Sequence, residues 1–467
     1  SIIMIALFIT FFAAVVILFL GLNKKESSFS NLAVVALLAS SICSFCNAKG
    51  LCNFAILESW VPANMMLFGY SEHMFASLLA FISAAIVFAF RKNDNLGTDQ
   101  LGLIMFSLCG AFMMISYQHI VMLFLGIEVL SIPLYVLAGS KKESLASNEA
   151  SLKYFLMGAF STGIFLLGTA FIYGGTGSLE LEMMGIKPSF MHAMEGMPIP
   201  TLINAGLILM SVGLLFKVAA APFHFWAPDV YEGSPNRTTV FMATIVKITA
   251  FVAFNKLLST FGGIHNTWSG WLCVLGMITI VWGNLAGLVQ NGVKRTLAFS
   301  SIAHAGYLVM FLLILDESKT WILWYYGFAY AMASVLVFLI SHQSATDKNP
   351  VGFDMFNGLS KRSPWVAFAL VVGVLSMAGI PISAGFDAKF YLFSFAWQSS
   401  PWLVGVGLLG SAISIGYYFK FIKHAFLVKV EGDERAVEYN DKGLMILIAA
   451  LLLLAGAMPW VLLKWVF

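Results

Sequence analysis

Apolar stretches close to twenty residues long recur from one end of the chain to the other, separated by short polar segments. A membrane-crossing helix needs about 20 consecutive, mostly apolar residues. The pattern therefore predicts spans at 2–22, 32–48, 72–90, 101–117, 119–140, 150–173, 202–230, 238–258, 268–289, 296–315, 320–341, 365–397, 402–426 and 444–466. The expected fold is an all-α polytopic membrane protein of about fourteen transmembrane helices. The second span is the weakest, because Ser40, Ser41, Ser44 and Asn47 interrupt it. Residues Ile2–Leu22 follow no Lys or Arg and precede no clean small-x-small site, so they read as a first span rather than a signal peptide.

Two spans carry breaks. The seventh contains Ala221-Pro222-Phe223-His224-Phe225-Trp226-Ala227-Pro228, and the twelfth contains Ala378-Gly379-Ile380-Pro381-Ile382-Ser383-Ala384-Gly385. Proline removes a backbone donor and breaks a helix. Non-helical backbone at membrane depth survives only where protein or a water-filled cavity covers it. The two breaks lie five helices apart. A repeated unit with an odd number of helices inserts the second time upside down, so the pattern predicts two inverted five-helix repeats. The expected organisation is helices one to three over 1–98, a first repeat over 99–262, a second over 263–430 and a last helix over 431–467.

Composition narrows this further. Of 467 residues, 60% are hydrophobic and 10% charged, against about 25% charged in soluble domains. A net charge of +3 gives no reason to expect nucleic acid. Assigning the basic residues to alternate sides puts 18 of 26 on the faces after odd-numbered spans and five on the other, with Lys217, Lys247 and Lys389 inside spans. That bias is the positive-inside pattern and places both termini outside a bacterial inner membrane. Cys43 and Cys46 form a CxxC within an apolar helix. With Cys52, Cys109 and Cys273 they read as packing residues, since no second CxxC or His pair accompanies them. No haem, iron–sulfur or nucleotide motif is visible, so any redox centre is expected on another chain.

The candidate chemistry sits inside the spans. Glu128 lies mid-span in Leu125–Pro133, where a charge costs about 2.5–3.5 kcal/mol on insertion scales. Lys217, five residues before Pro222, is its preferred partner; Lys247 and Lys389 are equally deep, and His224 and His304 add titratable groups near breaks or span ends. Desolvation penalises the charged ammonium, so a buried lysine can load and release a proton near neutral pH, while an approaching carboxylate favours the charged form. Snorkelling explains a lysine near a helix end, and a static ion pair explains one lysine beside Glu128. Neither explains three. Sodium, which wants several oxygen ligands, is the poorer cargo among three lysines and two acids, Glu128 and Asp387.

The stretch Phe216–Gly233, with its Pro-Phe-His-Phe-Trp-Ala-Pro-Asp-Val-Tyr-Glu-Gly run, resembles the antiporter-like membrane subunits of respiratory complex I, the NADH-quinone oxidoreductase, in the form typical of its subunit N. Leu125–Pro133, Asn291–Tyr307 and Gly379–Phe390 support the likeness, which covers essentially the whole chain. The resemblance implies fourteen helices, two inverted bundles, a Glu128–Lys217 pair and proton-transfer lysines at Lys247 and Lys389. It also implies proton translocation coupled to quinone reduction elsewhere, with flavin, iron–sulfur clusters and quinone on partner subunits. The implied partners are a subunit M-like neighbour, a small subunit K-like neighbour and the lipid bilayer. Asp387 and Asn236-Arg237 depart from the family's usual residues. The competing readings are the related chain of a photosynthetic ferredoxin-driven complex or of a multisubunit cation/proton antiporter, and a purely structural membrane spacer.

Overall fold

The computed structural model describes residues 5–22, 28–51, 64–92, 97–184, 199–345, 351–428 and 439–466. Cys52 and residues 346–350 and 429–438 lie outside the described residues. The main helices are α1 (Ile5–Gly21), α2 (Ser28–Ala48), α3 (Tyr70–Phe90), α4 (Thr98–Ser116), α5 (Ile120–Ala138), α6 (Leu145–Thr176), α7 (Ile199–Lys217) and α8 (Trp226–Gly233). They continue with α9 (Asn236–Thr260), α10 (His265–Val289), α11 (Val293–Leu312), α12 (Thr320–Ser344), α13 (Pro364–Ala378), α14 (Ala384–Ala396), α15 (Pro401–Ile422), α16 (Lys442–Ala457) and α17 (Pro459–Val466). Each expected span has its helix. Among the described residues nine helices are long and apolar enough to cross a membrane, and four shorter ones are apolar.

The seventh span is broken into α7 and α8 and the twelfth into α13 and α14, at the two proline-containing segments. The last span, expected to be continuous, is interrupted at Met458-Pro459, where proline cannot extend α16. α9 contains one widened turn at Met242–Val246, immediately before Lys247; such turns are frequent at functional sites.

Hydrophobic attraction does little to pair helices in lipid, so close approach relies on small residues. α4 and α5 cross where a Cβ on Gly110 would lie 2.2 Å from the Leu130 nitrogen. α6 and α7 cross at Gly168 and Gly206, whose added Cβ atoms would meet each other's carbonyl oxygens at 2.7 and 2.8 Å. α12 is buried along its whole apolar window, and α3 and α9 nearly so. A helix apolar all round belongs to the interior; these three, with α11, buried from Thr296 to Leu312, form the core around which the breaks are arranged.

Candidate functional site

The first break follows Lys217, the last residue of α7. Beyond it the backbone turns through Ala219 at φ 57°, a left-handed conformation unusual for a residue with a side chain. Thr279 of α10 accepts from the Ala221 nitrogen at 3.0 Å, and Trp226 Nε1 donates to the Phe216 carbonyl at 3.0 Å. Lys217 is 4% exposed. Its Nζ donates to Ser131 Oγ at 2.7 Å and to the Tyr135 hydroxyl at 3.3 Å, and stands 5.6 Å from the Tyr135 ring centroid.

Glu128 lies one helical turn before Ser131 on α5, half-buried, and its Oε1 accepts from Thr162 of α6 at 2.8 Å. The expected Glu128–Lys217 ion pair is not formed: each group is satisfied by hydroxyls instead. The physical reason is that Ser131 takes the ammonium, while Thr162 holds the carboxylate from α6.

The second break is built on the same logic. Gly379 ends α13 at φ 80° and Ile382 stands at φ 75°. Lys389, 5% exposed, reaches back from α14 and donates to the Ala378 carbonyl at 2.8 Å and to Ser411 Oγ at 3.1 Å. The last carbonyls of a helix lack intrahelical partners and carry partial negative charge, so both break lysines are placed at half-helix C-termini. A cavity of about 490 Å³ opens sideways from Lys389 between Phe390, Phe393, Trp397 and Leu408.

Between the breaks, Lys247 is 2% exposed. Its Nζ donates to Ser301 Oγ at 2.6 Å and to the Ser301 carbonyl, with the Tyr330 ring at 5.8 Å. One turn further along α11, His304 Nδ1 is 2.6 Å from the Tyr326 hydroxyl and its Nε2 is 3.4 Å from the Tyr418 hydroxyl, which also meets Ser300. His304 lies between Ser301, which receives Lys247, and Tyr307, whose ring it meets at 5.6 Å and over which Lys389 stands at 4.9 Å. A polar seam thus runs from Lys247 through His304 towards Lys389. His224 is not part of it: it lies at the first break against Phe225 and Trp282, with its buried Nδ1 unpartnered among the described residues.

The three lysines share one environment. Each meets a serine hydroxyl (Ser131, Ser301, Ser411) and a tyrosine ring (Tyr135, Tyr330, Tyr307). None forms an ion pair among the described residues. The serines and tyrosines were not among the expected site residues. Ser301 sits inside a motif the sequence displays, but aromatic residues are too common here for Tyr135 or Tyr330 to stand out.

A charged cluster was also missed. Lys153 of α6 pairs with Glu149 and Asp229 at 2.6 and 2.7 Å, and Arg295 of α11 pairs with Asp229 and Glu232 at 2.9 Å each. These side chains line a cavity of about 250 Å³ at the lysine-rich end of the molecule.

Broken helices with ammonium groups buried at both breaks define an antiporter-like membrane subunit. Residues 118–414 match the family described as NADH:quinone oxidoreductase/Mrp antiporter, TM, and the chain belongs to that family. It is 37% identical over 457 residues to NADH-quinone oxidoreductase subunit N of Cytophaga hutchinsonii, covering 96% of this chain and 95% of that one. It is 41% identical over 367 residues to the subunit N of Flavobacterium psychrophilum, covering 77% and 79%. A chain of respiratory complex I from Thermus thermophilus superposes with a TM-score of 0.81 at 30% identity, over 98% of this chain and 99% of that chain. A chain of the Mrp complex from Dietzia sp., at TM-score 0.80 and 18% identity over 99% and 96% of the two chains, shares the fold alone. Within the family the likeness is thus to subunit N, a proton-translocating membrane subunit of an NADH-quinone oxidoreductase complex.

Proposed function

We propose that protons cross this subunit along Glu128, Lys217, Lys247, His304 and Lys389, driven by quinone reduction elsewhere in the complex. The observation that carries the reading is the set of three buried ammonium groups held only by hydroxyls, carbonyls and ring faces. An isolated buried charge is costly, and proteins ordinarily pair it or neutralise it. A lysine held by neutral dipoles can be neutralised by losing a proton and recharged by gaining one, without leaving a buried carboxylate behind.

Glu128 supplies the switch. It stands one turn of α5 from Ser131, the hydroxyl that receives Lys217; its carboxylate favours the ammonium when it approaches and releases it when it withdraws towards Thr162. Lys217 ends a half-helix beside a break, where small backbone shifts are easiest. His224, at the same break, is available to the path only after such a shift. On this reading helices α4–α9 and α10–α15 act as the two inverted units, with flavin, iron–sulfur clusters and quinone on partner subunits. A subunit K-like and a subunit M-like chain flank this one in the bacterial inner membrane.

The test uses the assembled complex reconstituted into vesicles. Lys247→Met and Lys389→Met are each expected to assemble and to reduce pumping-coupled NADH oxidation at least about tenfold, the scale on which a positioned proton-transfer group acts. Full coupled pumping in both assembled variants overturns the pathway and favours a structural spacer.

A further inference from the structure

Lys217 and Lys247 occupy separate pockets on α7 and α9, and the seam through His304 does not reach Lys217. Beside the Lys217 pocket, against Tyr135, lies Tyr154 of α6, which is fully buried at 0% exposure. Its ring stacks on Trp226 with centroids 4.8 Å apart and planes 13° apart, and meets Tyr135 edge-on at 4.8 Å and 89°. Trp226 is itself fixed by its bond to the Phe216 carbonyl. The Tyr154 ring is therefore clamped on two sides.

Its hydroxyl is buried and has no hydrogen-bond partner among the described residues. Leaving a buried polar group unpaired costs about 1–3 kcal/mol, and phenylalanine would make the same ring contacts without that cost. Packing alone does not account for a tyrosine here. Two hydroxyl-bearing rings share this cluster: Tyr135 meets Tyr154 directly, and Tyr231 packs edge-on at 6.2 Å against the same Trp226. Tyr135 accepts from Lys217. Tyr231 lies against Ser301, the residue that receives Lys247. Tyr154 thus stands in one aromatic cluster with Tyr135, which receives Lys217, and with Tyr231, the neighbour of the serine that receives Lys247. A buried polar group in such a place is normally satisfied by water.

We propose that the Tyr154 hydroxyl, bridged by water to Tyr135 and Tyr231, relays protons between Lys217 and Lys247. This rests on the proton pathway proposed above. In the step, one proton leaves Lys217 Nζ and one arrives at Lys247 Nζ. Each hydroxyl and water between them accepts one proton and gives up its own, so no tyrosinate remains and no charge is stranded.

The experiment compares Tyr154→Phe, Tyr154→Leu and Lys217→Met in the intact complex reconstituted in vesicles. Coupled proton uptake and NADH oxidation are followed in water and in deuterium oxide. The relay predicts that Tyr154→Phe, which keeps the stacked ring, assembles and slows pumping at least about tenfold, as far as Tyr154→Leu does. It also predicts a larger solvent isotope effect than in the parent. A packing role predicts the reverse order, with Tyr154→Phe unchanged and only Tyr154→Leu impaired, and overturns the relay. If Tyr154→Phe is unchanged while Lys217→Met is slow, the relay fails and the pathway stands. If Lys217→Met is also unchanged, the pathway fails and takes the relay with it.

Discussion

A charge enclosed by protein must be compensated, and Lys217, Lys247 and Lys389 are compensated without a counter-ion. Each sits over a tyrosine face, at 5.6, 5.8 and 4.9 Å from the ring centroid, where the ring's quadrupole attracts a cation. Each also spends its donors on neutral oxygens. On the proposed pathway Glu128 is the acid that alters this balance, and its carboxylate accepts from Thr162. Glu128→Gln keeps the shape and the Thr162 hydrogen bond but removes the charge. The expected outcome is a complex that assembles normally and pumps at least about tenfold more slowly, measured as acidification of vesicles per NADH oxidised. Failure to assemble would instead make the carboxylate structural. The lysines and Glu128 were legible in the sequence because a charge deep in an apolar run has few explanations. Ser131, Tyr135 and Tyr154 were not, since a serine or tyrosine in a membrane helix is ordinary until its neighbours are known. The expected direct pair failed for the same reason: spacing along two helices does not reveal that Ser131 and Thr162 take the two groups instead.

The elements that place these residues are half-helices, and their ends do chemical work that an intact helix cannot. An unbroken span consumes its carbonyls internally. At the second break the Ala378 carbonyl is free and takes both the Lys389 ammonium, at 2.8 Å, and the Ser411 hydroxyl, at 3.2 Å. The two halves are held together closely. The Gly385 nitrogen donates to Ser376 Oγ at 3.2 Å, and a Cβ on Gly385 would fall 1.8 Å from the Ser376 carbonyl oxygen. That oxygen belongs to the backbone and cannot step aside. Gly385→Ala is therefore expected to push α13 and α14 apart, at a cost of about 1–3 kcal/mol or more, and to lower the thermal midpoint of the solubilised complex. Gly405→Ala on α15, where nothing lies within 4 Å of the added atom, is the matched control and should be neutral. Equal midpoints for the two variants would show that the break has room to spare. Pro222 and Pro381 announced the breaks in the sequence. The left-handed turns at Ala219 and Ile382 were invisible there, because neither residue type favours that conformation; the surrounding packing imposes it.

At the scale of the molecule, the charged residues separate the two ends, and the contacts now say which cations share an end. Lys153 and Arg295 meet on Asp229. Lys294 donates to the Ser234 carbonyl at 2.5 Å, Lys420 to the Gln290 carbonyl at 2.8 Å, and the Val293 nitrogen to the Val351 carbonyl at 2.9 Å. These links tie α6, α8, α11 and α15 together at one face. The individual pairs are partly exposed, so each contributes about 0.2–1 kcal/mol at most; their consequence is positional. The opposite face carries the Lys256–Glu72 pair at 3.3 Å and the Tyr70 hydroxyl, which receives Lys49 and bonds the Val466 carbonyl at 2.7 Å. Cations crowd the first face and are sparse on the second, so the first is predicted to face the cytoplasm. Lys142, exposed between α5 and α6, belongs to the crowded face, and Asp316, exposed between α11 and α12, to the other. With the native cysteines replaced, Lys142→Cys should resist a membrane-impermeant maleimide added to intact bacteria and react after the cells are opened. Asp316→Cys should react in intact cells. The reverse pattern would invert the molecule. The charged cluster around Asp229 would then face the outside, and the bias of the basic residues would no longer report the cytoplasmic side.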